Sequence, residues 1–174
     1  MNRGKEMILI ERATLQHVEG ISDVCSRGYR ATYGESHPKS YIERIIEEFY
    51  HPDRISSEIT DGGDGWDGWH VALEDGTVLG AIGGGMTGAY RGEVFVLYLD
   101  PDRRGEGIGT LLLEALTRIQ REKGATEQWV SVARGNQKGI PFYEARGFVF
   151  QHEQESYSNG EDEPFVSNRY CRGI

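Results

Sequence analysis

The sequence has little cysteine, no long apolar run and no excess of basic residues. Cys25 and Cys171 are its two cysteines, and they form no pairing motif, so we expect free thiols. No stretch approaches the roughly 20 apolar residues that a membrane-spanning helix needs. The apolar run Met7–Ile10 is short and is flanked by acidic residues, unlike the core of a signal peptide. We therefore expect a cytoplasmic protein that does not associate with membranes.

The chain is acidic, with a net charge of −9 at pH 7, which argues against nucleic acid as its main partner. Such a charge favours cationic small molecules, although solubility alone also explains it. No cysteine–histidine cluster suggests a metal, and the acidic loop Thr60–Gly68 lacks the spacing of a calcium loop. The 174 residues suit one domain, residues 1–174.

Hydrophobic periodicity and turn residues predict the order of helices and strands along the chain. A strand is expected first, then a helix that Thr14 caps and that breaks between Gly28 and Pro38, a second helix from about Lys39 and a short helical piece. A hairpin is predicted next, over Trp69–Met86 with its turn at Asp75–Gly76, followed by a strand over Gly92–Pro101 and a helix after Gly109. The last predicted elements are a strand over Glu127–Ala133, a short helix ending at Gly147, and two strands over Phe148–Glu153 and Ser167–Gly173. This order predicts an α/β fold with a mixed sheet flanked by helices on both faces.

Three glycines, Gly105, Gly107 and Gly109, alternate directly before a leucine-rich helix. A helix N-terminus offers unpaired N–H groups and a partial positive charge, and Arg103 and Arg104 add fixed charge, so the pattern predicts an anion site. The turn has no P-loop lysine after Gly109 and is one residue short of a dinucleotide fingerprint, which disfavours ATP and NAD. A tight turn that binds nothing is the alternative.

Two motifs at a set separation indicate a family. Arg104–Gly109 (RGEGIG) resembles the Gln/Arg-x-x-Gly-x-Gly/Ala signature of the GNAT superfamily of acetyl-CoA-dependent N-acetyltransferases. Asn136, followed by Phe142–Phe148 (FYEARGF), resembles a second element of that family. The resemblance covers at least Gly92–Phe150. It implies a mostly antiparallel sheet splayed between its fourth and fifth strands, with acetyl-CoA as co-substrate and no metal.

The resemblance also implies a set of residues that bind the coenzyme. It assigns the pyrophosphate to the backbone amides of Arg104, Gly105, Glu106, Gly107, Ile108, Gly109 and Thr110. The pantetheine arm would pair with the backbone of Leu97, Tyr98 and Leu99 as an added strand, and Asn136 would contact it. A backbone N–H near Leu97 would polarise the thioester carbonyl.

Acetyl transfer to an amine needs a group that removes a proton and a group that protonates the leaving thiolate. Tyr143 stands where the family places the acid, and a phenol with a pKa of about 10 is protonated at pH 7. Glu93 lies eleven positions before Arg104, at an offset where some family members have a base. A packing role for Tyr143, a solvated Glu93 and deprotonation by solvent are the alternatives.

The acceptor is expected to be a primary amine, either small and cationic, like a polyamine, or on a peptide. Such pockets usually lie between the first two helices, which points to Arg30, Tyr33 and Glu35. Direct transfer is expected because neither cysteine lies in a nucleophile motif. An acetyl-CoA-binding sensor without turnover is the alternative function, and a homodimer is an expectation by analogy alone.

Overall fold

A seven-stranded sheet organises the computed structural model, which describes residues 7–156, 159–160 and 163–174. The strands are β1 (Leu9–Arg12), β2 (Trp69–Glu74), β3 (Thr77–Met86), β4 (Arg91–Leu99), β5 (Glu127–Ala133), β6 (Val149–Glu155) and β7 (Val166–Gly173). The helices are α1 (Val18–Tyr33), α2 (Lys39–Phe49), α3 (Pro52–Thr60), α4 (Ile108–Glu122) and α5 (Gly139–Ala145). The strand order is β1-β2-β3-β4-β5-β7-β6, and every pairing is antiparallel except that of β4 with β5. The predicted α/β class with a mixed sheet is confirmed.

Each face of the sheet has its own apolar core, because residues of a strand alternate between the faces. Helices α1, α2 and α3 pack on one face around Ile21, Ile42 and Ile55. Helix α4 packs on the other face through Leu112 and Leu116, and α5 joins it there. Helices therefore flank both faces, as predicted. In the part of the chain that the structure describes, no helix is both long enough and apolar enough to cross a bilayer.

Strands β4 and β5 diverge after four paired residues. Their parallel ladder joins Arg91 through Val94 to residues 127–130 and then stops. Directly after Val94, β4 has a β-bulge at Phe95, since Val94 and Val96 pair with the consecutive residues Gly84 and Gly83 of β3. A bulge bends its strand and increases the local twist. The second half of β4 therefore turns away from β5, which confirms the predicted splay between the fourth and fifth strands.

A chain of buried polar side chains holds the two strands together below the point of divergence. Gln120 of α4 donates to the backbone oxygen of Glu93 at 3.0 Å, and Gln128 of β5 donates to Gln120 Oε1 at 2.9 Å. Arg172 of β7 completes the chain by donating to Gln128 Oε1 at 3.0 Å and to Thr117 Oγ1 at 3.1 Å. Because buried polar groups are costly unless paired, these contacts specify one arrangement of α4, β4, β5 and β7.

The first helix ends inside the predicted breaking segment, Gly28–Pro38, but not at the first glycine of that segment. After Thr14 a short 3-10 turn leads into α1, which continues through Gly28 and ends at Tyr33. The glycine is required by close packing and not by a turn. A Cβ at Gly28 would lie 2.9 Å from Tyr98 Cδ1 and 3.3 Å from the backbone oxygen of Leu99. Gly28 therefore lets α1 lie directly against β4.

We expect Gly28→Ala to destabilise the protein, although alanine forms helix better than glycine by about 1 kcal/mol. The added methyl group pushes α1 away from β4, and overpacking of this kind costs about 1–3 kcal/mol. Denaturant unfolding measures the change. Ala31→Gly, at an exposed position of α1, is the control that reports helix propensity alone. A stabilised Gly28→Ala variant would contradict the packing explanation.

Candidate active site

A cleft of about 970 Å³ opens where β4 and β5 diverge. One end, called here the turn end, is lined by residues 104–105 and 107–110 and by α5 with the loop that precedes it. The other end, called the aromatic end, is lined by α1, α2, α3 and the tryptophans before and within β2. The two strands themselves form the floor between these ends, and all three parts can contact one extended ligand.

The glycine turn presents the start of α4 to the cleft. Gly105 and Gly107 have φ angles of 82° and 79°, in the left-handed region that glycine adopts at no steric cost. Gly107 directly precedes Ile108, the first residue of α4, so the first turn of the helix, whose amides have no partner within the helix, lines the turn end. A Cβ at Gly109 would lie 3.2 Å from the Phe142 ring, which explains that glycine by close packing against α5.

The side chain of Arg103 does not add an unpaired positive charge to the glycine turn, although the sequence predicted that it would. Its guanidinium donates to Glu74 at 2.9 and 3.0 Å and to Glu106 at 2.6 and 2.9 Å. Two carboxylates thus neutralise Arg103, and Glu106 turns its side chain towards that pair and not into the cleft. Arg104 lines the cleft. Coenzyme contacts through residues 104–110 remain a prediction.

Leu97, Tyr98 and Leu99 line the cleft beyond the last residue that β4 pairs with β5. They keep their partners on β3, so only the edge facing β5 lacks a neighbouring strand. Such an edge can accept an extended ligand as an added strand. The geometry is compatible with the predicted pantetheine contacts.

Tyr143 of α5 projects into the cleft with 8% of its surface exposed. Burial raises the pKa of its phenol above the usual value, and the nearby Tyr33 raises it further, while Arg146 acts in the opposite direction. The hydroxyl therefore stays protonated at neutral pH, as a general acid must be. Phe142 and Phe148 hold the ring at centroid distances of 5.1 and 5.3 Å.

Glu93 lies at the point of divergence and forms a buried ion pair. Arg169 of β7 donates to its two carboxylate oxygens at 2.5 and 2.9 Å and to Ser131 Oγ at 2.8 Å. Both partners line the cleft. The ion pair connects β4 to β7 across β5 and places the Glu93 carboxylate on the floor of the cleft. The role of Glu93 as the base remains a prediction.

Asn136 lies in the loop between β5 and α5 and lines the cleft. Its Oδ1 accepts hydrogen bonds from the backbone N–H of Gly139 at 2.8 Å and of Lys138 at 3.3 Å. The side chain thus shapes the start of the helix that carries Tyr143. Its contact with the coenzyme remains a prediction.

Of the three candidate acceptor residues, the structure brings only Tyr33 to the cleft. Since α1 continues to Tyr33, its helical phase buries that residue and leaves Arg30 exposed. Arg30 pairs with Glu43 of α2 at 3.0 Å, away from the cleft. Glu35 is exposed in the α1–α2 connection and does not line the cleft either.

The aromatic end contains residues that the motifs did not indicate. Its rings come from α1, α2, the α3–β2 segment and β4: Tyr29, Tyr33, His37, Tyr41, Phe49, Tyr50, Trp66, Trp69, Phe95 and Tyr98. Glu58 of α3 adds a carboxylate, which accepts from Trp69 Nε1 at 3.1 Å. Trp66 stacks on Phe95 at 6.3 Å and donates to the Glu58 backbone oxygen. In sequence these rings follow the same period as core residues, so no local signal separates them.

Comparison with known proteins agrees with this geometry. Residues 28–148 match the acetyltransferase (GNAT) family. A spermidine N(1)-acetyltransferase from Thermoplasma acidophilum is 32% identical over 143 residues, which is 81% of this chain and 88% of that protein.

Two crystal structures share the fold over nearly the whole chain. The PaiA N-acetyltransferase from Thermoplasma acidophilum, in complex with coenzyme A, superposes with a TM-score of 0.80 at 24% identity, covering 97% of this chain and 99% of that one. A GCN5-related N-acetyltransferase from Rhodopseudomonas palustris superposes with a TM-score of 0.78 at 16% identity, over 97% and 96% of the two chains. The chain therefore belongs to the acetyltransferase (GNAT) family and is a GNAT-type N-acetyltransferase.

Proposed function

We propose that this enzyme transfers the acetyl group of acetyl-CoA directly to a primary amine of a small cationic molecule. The observation that carries the proposal is the single cleft that joins the glycine turn, the open edge of β4 and an aromatic, carboxylate-bearing end. Donor and acceptor can enter from opposite ends and meet on the floor between Tyr143 and Glu93.

The chemistry follows from these two side chains. The acceptor nitrogen attacks the thioester carbonyl carbon after losing a proton towards Glu93, directly or through water. The carbon–sulfur bond then breaks, and the leaving thiolate takes a proton from the Tyr143 hydroxyl. A backbone N–H on the open edge of β4, near Leu97, stabilises the charge that develops on the carbonyl oxygen.

The aromatic end suits a cationic acceptor. Aromatic faces attract ammonium groups, and the attraction grows when the site excludes water. Glu58 on one wall of the aromatic end and Glu93 on the floor add carboxylate oxygens that can accept hydrogen bonds from an ammonium group. Each is also paired with an arginine, Arg54 and Arg169 respectively. The similarity to a spermidine N(1)-acetyltransferase supports an acceptor with more than one amine.

We expect thiol release from acetyl-CoA to be fastest with a diamine or polyamine. The tests are spermidine, 1,4-diaminobutane, butylamine and a peptide with a free N-terminus. Because a second ammonium group can lie against the aromatic rings, kcat/KM for the diamine should exceed that for butylamine by about tenfold. A preference for the peptide would contradict the proposed acceptor, and binding of acetyl-CoA without turnover of any amine would indicate a sensor.

We expect Tyr143→Phe to lower kcat by about 10²-fold or more, with little change in KM for acetyl-CoA. The variant keeps the buried ring and removes only the proton donor. Tyr170→Phe removes a hydroxyl from another buried tyrosine of the same core, outside the cleft, and should keep its activity. Steady-state kinetics measures both. Equal activity of the two variants would exclude Tyr143 as the acid.

Glu93→Gln and Arg169→Gln separate the chemical role of the Glu93 carboxylate from its structural one. Each variant breaks the same buried ion pair, so each should lose about 3–5 kcal/mol of stability. Only Glu93→Gln removes the proton acceptor, so we expect its kcat/KM for the amine to fall about 10²-fold below that of Arg169→Gln. Similar kinetics in both variants would mean that the proton passes to solvent. Unfolding curves confirm that both variants are folded under the assay conditions.

A further inference from the structure

The loop between α3 and β2 (residues 61–68), called here the α3–β2 loop, lies against β3 where that strand has three consecutive glycines, Gly83–Gly85. A Cβ at Gly83 would lie 2.4 Å from the Trp66 ring, and a Cβ at Gly85 would lie 1.5 Å from a backbone oxygen of the loop. Such distances leave no room for a side chain, so glycine is required where the loop approaches the strand.

Trp66 is the residue of this loop that lines the cleft. Its indole Nε1 donates to the backbone oxygen of Glu58 at 3.1 Å, and its ring stacks on Phe95 with the centroids 6.3 Å apart. The ring packs with the apolar core on the α1–α3 face of the sheet. Trp66 thus joins α3 to the bulge of β4 and forms part of the wall of the aromatic end.

The next residue, Asp67, makes its contacts with the opposite side of the sheet, where α4 packs. Its backbone N–H donates to the oxygen of Gly84 at 2.7 Å, and its carboxylate pairs with the ammonium group of Lys123, the residue that caps the end of α4. Only 4% of the surface of Asp67 is exposed. In the part of the chain that the structure describes, no group donates a hydrogen bond to its Oδ2.

A buried ion pair of this kind is weak evidence for stability, because the cost of removing the carboxylate from water offsets the attraction. The pair does fix a position. Without Lys123 the charge of Asp67 would be buried and unpaired, so the α3–β2 loop is held where the ammonium group can reach it. Because Trp66 directly precedes Asp67, the contact on one side of the sheet fixes the ring on the other side.

We propose that Asp67 and Lys123 are positioning residues for the acceptor amine and that they act through Trp66, whose ring restricts the aromatic end. This inference rests on the proposed function, in which the amine lies at that end. Helix α4 begins at the glycine turn and, through Lys123, anchors the acceptor wall, so one helix contributes to both ends of the cleft. No motif identifies the pair, since its members are 56 positions apart in the sequence.

Steady-state kinetics of Lys123→Met, with 1,4-diaminobutane as the amine, tests the proposal. The variant keeps most of the side-chain stem and removes the ammonium group, so Asp67 loses its partner and the α3–β2 loop is released. We expect KM for the amine to rise about fivefold or more, as for the loss of contact between an ammonium group and an aromatic face, with little change in kcat or in KM for acetyl-CoA. Arg121→Met, at an exposed position in the last turn of α4, makes the same change in net charge and should behave like the wild type.

Three further variants test whether the two residues act as a pair. Lys123→Arg keeps a positive charge that can reach Asp67 and should restore most of the affinity for the amine. Asp67→Asn should raise KM for the amine by a factor similar to that of Lys123→Met. The double variant should be no worse than either single variant, because both substitutions remove the same contact. Additive losses in the double variant would overturn the proposal.

Hydrogen exchange measures the anchoring without any substrate. The amides of the α3–β2 loop, including that of Asp67, should exchange faster in Lys123→Met than in the wild type, while those of α2 should not change. Unchanged exchange in the loop would overturn the proposal. Faster exchange with an unchanged KM for the amine would also overturn it, because the loop would then be anchored without positioning the acceptor.

The kinetics also separate this role from a general loss of structure and from failure of the proposed function. A fall in kcat together with a rise in both KM values would assign the pair to stability alone and contradict the positioning role. A wild-type enzyme that acetylates no amine would contradict the proposed function itself. Wild-type turnover with equal KM values in Lys123→Met would contradict only the role of the pair.

Discussion

The divergence of β4 and β5 is the constraint on which the rest of the site depends. A parallel pair that continued past Val94 would satisfy the β4 edge and close the cleft. The bulge at Phe95 turns β4 away, while the buried Gln120 and Gln128 side chains keep the first half of the ladder joined to α4. One end of the strand pair is thus fixed and the other is open, and a ligand can supply the missing partner of β4.

The ion pair of Glu93 with Arg169 stands at the point where the strands separate, and its burial has an energetic consequence. Removing two charges from water is costly, and the attraction between them offsets that cost only when further hydrogen bonds satisfy both groups. Here Arg169 donates to two carboxylate oxygens and to Ser131, while Trp129 lies 5.1 Å from its guanidinium. The pair connects β4, β5 and β7 and so fixes the width of the floor.

Local sequence patterns predicted most of the fold and several of the residues that line the cleft. The alternating strands, the Asp75–Gly76 turn and the glycines before α4 are decided by neighbours in sequence, and the structure confirms them. The errors arose where distant residues decide. Glycine is required at position 28 because Tyr98 packs against it, and the guanidinium of Arg103 is paired with the carboxylate of Glu74, 29 positions earlier in the sequence. No periodicity or motif reports such contacts, because they exist only once the sheet has formed.

The same reasoning explains why the motifs identify the donor better than the acceptor. The turn end is built mainly from one continuous stretch, β4 to α5, so its residues keep fixed spacings that a signature can describe. The aromatic end is assembled from α1, α2, α3 and the segment before β2, whose rings also pack the core on that face of the sheet. A ring that lines the cleft and a ring that only fills the core have the same helical spacing. If the acceptor binds at the aromatic end, as proposed, its identity depends on the three-dimensional arrangement of these helices, through the volume and charge of the assembled pocket.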